Sequence, residues 1–528
     1  MAGSVVNLDA MIPREDMLTP ASDYAGVNIE RISISNLDND FFVHALRKPD
    51  FQRETAHWSP EKIVDLVKAF ASGDLIPAVI LWRRGTNIFV IDGAHRLSAL
   101  IAWVYDDYGQ GARSLTHFGG RLSDEQVRIA DKTRKLVGNA VGPYAQFVGA
   151  MKSPHNAPDS VKSVLGNLAA NAVVAQWVPK VGEKAAEDSF FKINQAATPI
   201  DPTERLILRS RQAANAIASR AIVRGGTGHK YWAGFPLDIQ AEIESEAGEL
   251  HSALYEPPLK DLPIKTLDLP VAGRGYSALP FVYELVNWAN DVPDYTKSKE
   301  PPPADIDGKQ TLAHLRTVRD AVDLITGIKM KSLGLHPVVY FYTRGGDFQP
   351  VAFIAACAFV RELAKAGRLP KFTKVRGQFE EFLLRHKEFI TLIIKRTGAG
   401  RRSLGRIIRY FETLLREFTE GNSEEQVLDV LRNDPEFVFL VASMGIPSVR
   451  HEGDNPTRRF SRSTKSASFF QAATQGGVRC GVCHALVHVN SMQFDHIDDK
   501  AVGGSTGMQN SQATHPYCNS AKAILIPT

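Results

Sequence analysis

Two short pairs near the C-terminus, Cys480-x-x-Cys483 and His515-x-x-Cys518, constrain this chain more than any other feature. An x-x spacing puts two donor atoms on one tight turn, and two such turns supply the four ligands of a tetrahedral zinc shell. The tail between and after the pairs has few large apolar residues. A bound metal then stands in for the missing core, so that metal binding and folding of the tail are coupled. Three of the four cysteines lie after residue 479, and the fourth, Cys357, sits in the apolar run Val351 to Val360 and reads as a core residue. That distribution leaves no disulfide framework.

The spacing alone also fits a zinc knuckle without catalysis. The loop between the pairs argues for more, because a structural knuckle has no need of Phe494-Asp495-His496-Ile497 followed by Gly503-Gly504. The Asp495 carboxylate can hold a hard divalent cation, while His496 can deprotonate a water near neutral pH and direct it at a phosphorus atom. Asn519 offers a second oxygen ligand. His484 and His488 read as surface residues rather than ligands.

Taken together these residues resemble the HNH endonucleases, whose ββα-metal fold carries Asp-His on a β-hairpin and the final His or Asn on the following helix. The resemblance implies that His496 is the general base, that Asp495 and Asn519 bind a catalytic Mg²⁺ or Mn²⁺, and that Asn510 orients the loop carrying the base. His496 and Asn510 are 14 positions apart and Asn510 and Asn519 are 9 apart. Gly503-Gly504 and Lys522 also stand at family positions. His515 replaces the cysteine that usually opens the second zinc pair, and Asn519 stands where many members have histidine, an H-N-N variant.

At 528 residues the chain has room for two or three domains, and 44% hydrophobic with 23% charged residues is the balance of soluble globular proteins that bury ordinary cores. No apolar run approaches a bilayer span, and Met1-Ala2-Gly3-Ser4 lacks the basic start and apolar stretch of a secretory leader. The expectation is a cytoplasmic protein without a membrane partner. A net charge of +4 is too mild to establish a polyanion partner, so its distribution matters more. Residues 371–416 hold twelve Lys or Arg against four Asp or Glu, four of the cations falling between Lys395 and Arg402. That cluster suits either phosphate contacts or a solvated face.

Near the N-terminus, Ser59 and Pro60 open a helix on which Ile63, Leu66, Val67 and Phe70 share one face, ending near Gly73. Pro77 to Trp82 and Asn87 to Ile91 are apolar and β-prone, and Arg83-Arg84-Gly85-Thr86 between them reads as a hairpin turn. A second helix begins within Ala94-His95-Arg96, so that Gly93 sets free backbone N–H groups beside Arg96, the outline of an anion site. The plain alternative is an ordinary strand-to-helix turn.

Phe51-Gln52-Arg53, Trp58, Ile76-Pro77 and the run Asp92-Gly93-Ala94-His95-Arg96 to Leu100 resemble the DGQQR-type domain of unknown function, a ParB/sulfiredoxin-like fold found in modification-dependent restriction enzymes. The likeness extends to Phe190-Phe191-Lys192-Ile193-Asn194 and Ile200-Asp201-Pro202-Thr203-Glu204, with Ala94-His95 in place of the usual Gln-Gln. It implies that Asp92, Gly93, His95 and Arg96, with Arg53, contact the phosphates of a nucleotide such as ATP or GTP or their metal. It further implies a domain that senses modified DNA and regulates a linked HNH nuclease. Ala94 has no thiol, so the sulfiredoxin nucleophile is absent.

Residues 215–445 show helical patterns and no catalytic constellation. Phe379, Phe382, Leu383 and His386 to Ile393 read as one amphipathic helix, and Ile407 to Leu415 as another. Arg224-Gly225-Gly226-Thr227-Gly228-His229-Lys230 lacks the Gly-Lys-Ser/Thr ending of a Walker motif and reads as a connector. Residues 447–475 are basic and aperiodic, the pattern of a linker.

The expected architecture is α+β and multidomain: a ParB/sulfiredoxin-like sensor over residues 25–214, a mainly helical domain over 215–446, a basic linker over 447–475, and a ββα-metal HNH domain over 476–528. The expected activity is DNA phosphodiester hydrolysis in restriction or anti-phage defence. Double-stranded, modified phage DNA and a nucleotide are the expected partners, and a homo-oligomer or a further defence protein remains open. Two rival readings stand beside it. One is a DNA-binding regulator with a non-catalytic zinc module; the other is a nucleotide hydrolase whose HNH module only recruits DNA.

Overall fold

The computed structural model describes residues 5–526 apart from 16–27, 51–57, 154, 156, 179–186, 191, 193–201, 260–261, 274–277, 296–297, 299, 399, 445–459 and 501–502. Arg53, most of the 190–201 stretch and the first part of the expected linker therefore lie outside the described residues. The chain forms two compact units, Met1–Glu244 with Pro293–Thr311 and Ser245–Val292 with Leu312–Thr528. Both helices and strands contribute, in a mixed α+β architecture.

The first unit is built on a six-stranded mixed sheet. Its strands are β1 (Arg14–Glu15), β2 (Arg31–Ser33), β3 (Leu46–Pro49), β4 (Val79–Arg84), β5 (Asn87–Asp92) and β6 (Ala172–Trp177), in the order β1-β3-β5-β4-β6-β2. The β4–β5 hairpin is antiparallel and turns on Gly85-Thr86, so that Arg83 and Arg84 belong to the strand and not to the turn. Helix α1 (Pro60–Ser72) forms where the apolar spacing predicts it. Ser59 Oγ accepts the Lys62 amide, and Gly73 closes the helix at φ 81°. Ile63, Val67 and Phe70 are fully buried. Helix α2 (Ala94–Val104) follows β5 through Gly93, whose φ of 92° makes the sharp strand-to-helix turn.

Behind the sheet, buried Asp9 meets Lys48 Nζ at 2.5 Å, Arg224 at 3.3 Å and Arg14 at 3.6 Å. Burial pushes the Asp9 carboxyl up, but these cations outweigh it and hold the group well below the ordinary range. The glycine-rich segment 224–230 is part of this arrangement and not a bare connector. Arg224 donates to the His229 carbonyl at 3.0 Å, closing the turn, and a Cβ on Gly228 would lie 3.5 Å from the Phe118 ring and 3.6 Å from His117 Nε2.

The second unit is helical around α3 (Pro350–Lys365), α4 (Leu369–Arg385), α5 (Glu388–Thr397) and α6 (Arg401–Thr419). Rings of Tyr340, Phe359, Phe372, Phe379 and Phe411 interlock at its centre. The single helix expected through Phe379 and Ile393 is two, broken at His386-Lys387. There His386 Nε2 lies 3.0 Å from Glu424 Oε1 and Lys387 Nζ donates to the Val339 carbonyl at 2.6 Å, so neighbouring segments hold both side chains.

Part of the stretch read as linker is also regular. Helix α7 (Arg462–Ala473) is capped by Ser461, and Ser466 and Phe470, four residues apart on one face, are buried. Ser466 Oγ accepts the Ile264 amide at 3.0 Å. The unit ends in a hairpin of β7 (Gln493–His496) and β8 (Ser511–Thr514), followed by the short helix α8 (Pro516–Ser520). No helix among the described residues is long and apolar enough to cross a membrane.

Candidate functional site

Cys480, Cys483, His515 and Cys518 are all buried, and their ligand atoms lie within 4.8 Å of one another. The first pair sits on a turn closed by the His484 amide to the Cys480 carbonyl at 2.9 Å, with His484 at φ 59°. The second pair spans the start of α8. His515 Nε2 is 3.0 Å from the Leu486 carbonyl, while Nδ1 is 3.4 Å from Cys483 Sγ and 3.8 Å from Cys518 Sγ. A carbonyl only accepts, so Nε2 carries the hydrogen and Nδ1 turns its lone pair to the sulfurs, the tautomer of a metal ligand.

Hydrogen bonds from Cys483 and Cys518 pull the Cys480 thiol far below its ordinary range, while hydrogen bonding to Cys480 pushes Cys483 up to about 12. Three sulfurs crowded around one imidazole nitrogen form a donor set built for a cation. Closed, buried and four-membered, it fits structural zinc. Buried Arg376, on α4, adds positive charge that favours the Cys483 thiolate and the neutral His515 ring.

This staple holds the hairpin. In β7–β8, Asp495 pairs with Gln512 and His496 with Ser511. Asp495 Oδ2 lies 3.0 Å from Lys522 Nζ and 3.4 Å from Gln512 Nε2, and Lys522 also donates to the His496 and Ile497 carbonyls. Asn519 Nδ2 donates to Gln493 Oε1 at 3.0 Å. Residues two apart on a strand share a face, so Gln493, Asp495, Asn519 and Lys522 are gathered on one side.

His496 leaves the other face, at the last ladder position before the loop opens. Its half-buried ring makes no hydrogen bond with any described residue. Asn510, at the far end of that loop, is buried. Its Oδ1 accepts the Asp498 amide at 2.7 Å, and its Nδ2 donates to the carbonyls of Asp498 at 3.0 Å and Ser505 at 2.7 Å. A side chain on Gly504 would fall 1.9 Å from the Asp498 carbonyl oxygen, so the second glycine of the pair is required by space.

Two placements differ from expectation. His488 is not a surface residue but buried, edge-on to His336 at 5.5 Å, and burial lowers it to about 4. In the first unit, Arg96 does not stand open beside Gly93. Its Nη2 donates to Asp92 Oδ2 at 2.6 Å and to the Ala78 carbonyl at 3.1 Å, so the two charges of the motif hold each other. His95 stacks on Trp58 with ring centroids 5.6 Å apart. Gly93 is fixed sterically as well, since a Cβ there would lie 2.4 Å from Val79 Cγ1.

The contacts of Gln493, Gln512 and Arg376 were not singled out from sequence. For Gln493 and Gln512 a signal exists, because one lies two positions before Asp495 on its strand and the other faces Asp495 across the ladder.

Residues 33–211 match the family model described as the N-terminal domain of the GmrSD restriction endonuclease, and residues 480–523 match that of the HNH endonuclease. No curated protein and no solved structure matches the chain. The second match begins at Cys480 and runs past Lys522, so it spans the metal cluster, the hairpin and α8. The chain thus joins a GmrSD restriction endonuclease N-terminal domain to a C-terminal HNH endonuclease domain, and is a phosphodiester-hydrolysing nuclease of the restriction type with DNA as its implied partner.

Proposed function

We propose that the C-terminal site cuts DNA strands with His496 as general base and Asp495 and Asn519 as the seat of one Mg²⁺ or Mn²⁺. The observation that carries this reading is the gathering of Asp495 and Asn519 on one side of a zinc-stapled hairpin, with an unengaged imidazole at the strand end. The donors fit a hard cation, being a carboxylate and an amide oxygen. Asp495 already faces one positive charge, the Lys522 ammonium, which stands in for part of that role. When bound, the cation supplies charge stabilisation at phosphorus and on the leaving oxygen.

The chain's own groups do the rest. His496, whose ring makes no hydrogen bond among the described residues, accepts the proton of the attacking water at a ring nitrogen. Asn510 holds the loop after His496 in one shape through three hydrogen bonds, which fixes where that ring points. A phosphate engaged by both faces straddles the end of β7. Cys480, Cys483, His515 and Cys518 hold zinc as a scaffold without a step in the chemistry.

The N-terminal domain, residues 25–214 by our reading, is a nucleotide-binding, ParB/sulfiredoxin-like regulator that licenses cutting of modified phage DNA. The left-handed Gly93 at the α2 N-terminus and the His95–Trp58 stack support binding at Asp92, Gly93, His95 and Arg96, with Arg53 as a further contact. A nucleotide phosphate there takes Arg96 from Asp92. The test is supercoiled-plasmid nicking with Mg²⁺ or Mn²⁺, on modified and unmodified DNA and across ATP and GTP, by wild type and by His496→Ala with its zinc retained. Cutting by wild type alone supports the site; equal cutting by both removes it. A nucleotide effect lost in Arg96→Ala supports the regulator.

A further inference from the structure

An asparagine that binds a cation must present oxygen and not nitrogen, and the two ends of its amide are nearly the same size. The strap Ile328–Gly334 of the second unit supplies a polarity that settles this. Its carbonyls at alternate residues face the nuclease tail: Ile328 accepts Gln493 Nε2 at 3.1 Å, Met330 accepts Ser520 Oγ at 3.0 Å, and Ser332 accepts the Tyr517 amide at 2.9 Å. At its end, Gly334 at φ 58° abuts Ser491 and His515, and its carbonyl accepts Arg376 Nη2 at 3.1 Å.

A carbonyl only accepts, so Gln493 must turn its NH₂ to Ile328, which leaves Oε1 for Asn519. Oε1 accepts from Asn519 Nδ2 at 3.0 Å. Asn519 Oδ1 is then the end left over, and it makes no hydrogen bond among the described residues. The direction of one backbone carbonyl thus passes through two amides to the Asn519 oxygen, the end left without a hydrogen bond among the described residues.

We infer that Gln493 is a positioning residue that locks the Asn519 amide with its oxygen toward the cation seat, anchored by the Ile328 carbonyl. The inference rests on the assignment of Asn519 as a cation ligand. Partners behind a metal ligand commonly change affinity about 10–100-fold when removed. Gln493→Leu keeps the bulk and loses both hydrogen bonds, so the Asn519 amide is free to turn. Aspartate at 519 needs no such lock, because either end is oxygen.

The test uses the full-length, zinc-loaded chain and reads Mn²⁺ binding by electron paramagnetic resonance, with zinc content measured in parallel. Gln493→Leu is expected to weaken Mn²⁺ binding by about tenfold or more with zinc unchanged, and adding Asn519→Asp to that variant to recover most of the loss. Wild-type affinity in Gln493→Leu, or a loss that Asn519→Asp does not recover, overturns the positioning role. Asn519→Ala separates the two levels: if it binds Mn²⁺ as wild type does, the cation seat itself is wrong, whereas its loss beside an unaffected Gln493→Leu leaves the seat and removes only the lock.

Discussion

Gly377 is a sensitive probe of how the nuclease tail is held, because two opposed effects of known size meet there. It lies inside α4, where replacing glycine by alanine ordinarily stabilises a helix by about 1 kcal/mol. A Cβ at 377, however, would stand 2.8 Å from the Cys483 carbonyl oxygen and 3.4 Å from His484 Cβ, on the turn that carries the first zinc pair. The close atom is backbone and cannot swing aside, so helix and turn must part, an overpacking that costs about 1–3 kcal/mol.

Gly405 is the matched control. It is exposed within α6, and a Cβ there meets nothing within 4 Å. Gly405→Ala is therefore expected to raise the denaturant midpoint by the full helix effect. Gly377→Ala is expected to lower it or leave it level, and to release zinc to a chromogenic chelator about tenfold faster, since 1.4 kcal/mol is a factor of ten. Two variants equally stabilised, with equal zinc release, would refute the contact between α4 and the Cys480–Cys483 turn.

Asn510→Ala removes three hydrogen bonds that hold the loop after His496, each worth about 1 kcal/mol, and nicking should fall steeply while zinc content stays at one equivalent. Lys522→Met takes a competing positive charge from Asp495, so the Mn²⁺ concentration for half-saturation should drop; a rise would mean that Lys522 supports the seat instead. Burial lowers Lys387 from 10.5 to about 7. Between those values the unfolded chain holds a proton that the folded chain lacks, so stability rises with pH across that window and the gain is complete above it. Urea midpoints measured over the same range should show this slope in wild type and a flatter one in Lys387→Met.

Much of this molecule is legible residue by residue. The Ser59 cap, the Ile63–Val67–Phe70 face and Gly73 specify α1 locally, and the β-prone runs flanking Gly85-Thr86 specify the hairpin. The paired Cys and His spacing likewise brings the four donor atoms together. What escaped is set by contacts between distant segments. Helix α7 forms within a basic, aperiodic stretch because Phe470 and Ser466 find a buried face, and the break between α4 and α5 follows from Glu424 and Val339, which periodicity cannot see. Arg96 is a different case, because its partner Asp92 is local, four residues before it, and the pairing itself at 2.6 Å is what competes with any phosphate. Gly377, Arg376 and the strap behind Asn519 belong to the helical part of the chain, so a reading of the tail alone treats it as freestanding.

The division of labour at the hairpin is tested most directly by measuring Mn²⁺ binding and plasmid nicking together in Asp495→Ala and His496→Ala, each confirmed to hold one zinc. Both variants should fail to cut, with Asp495→Ala losing the Mn²⁺ and His496→Ala keeping it. Cutting by His496→Ala, or Mn²⁺ bound as tightly without the Asp495 carboxylate, would contradict the account.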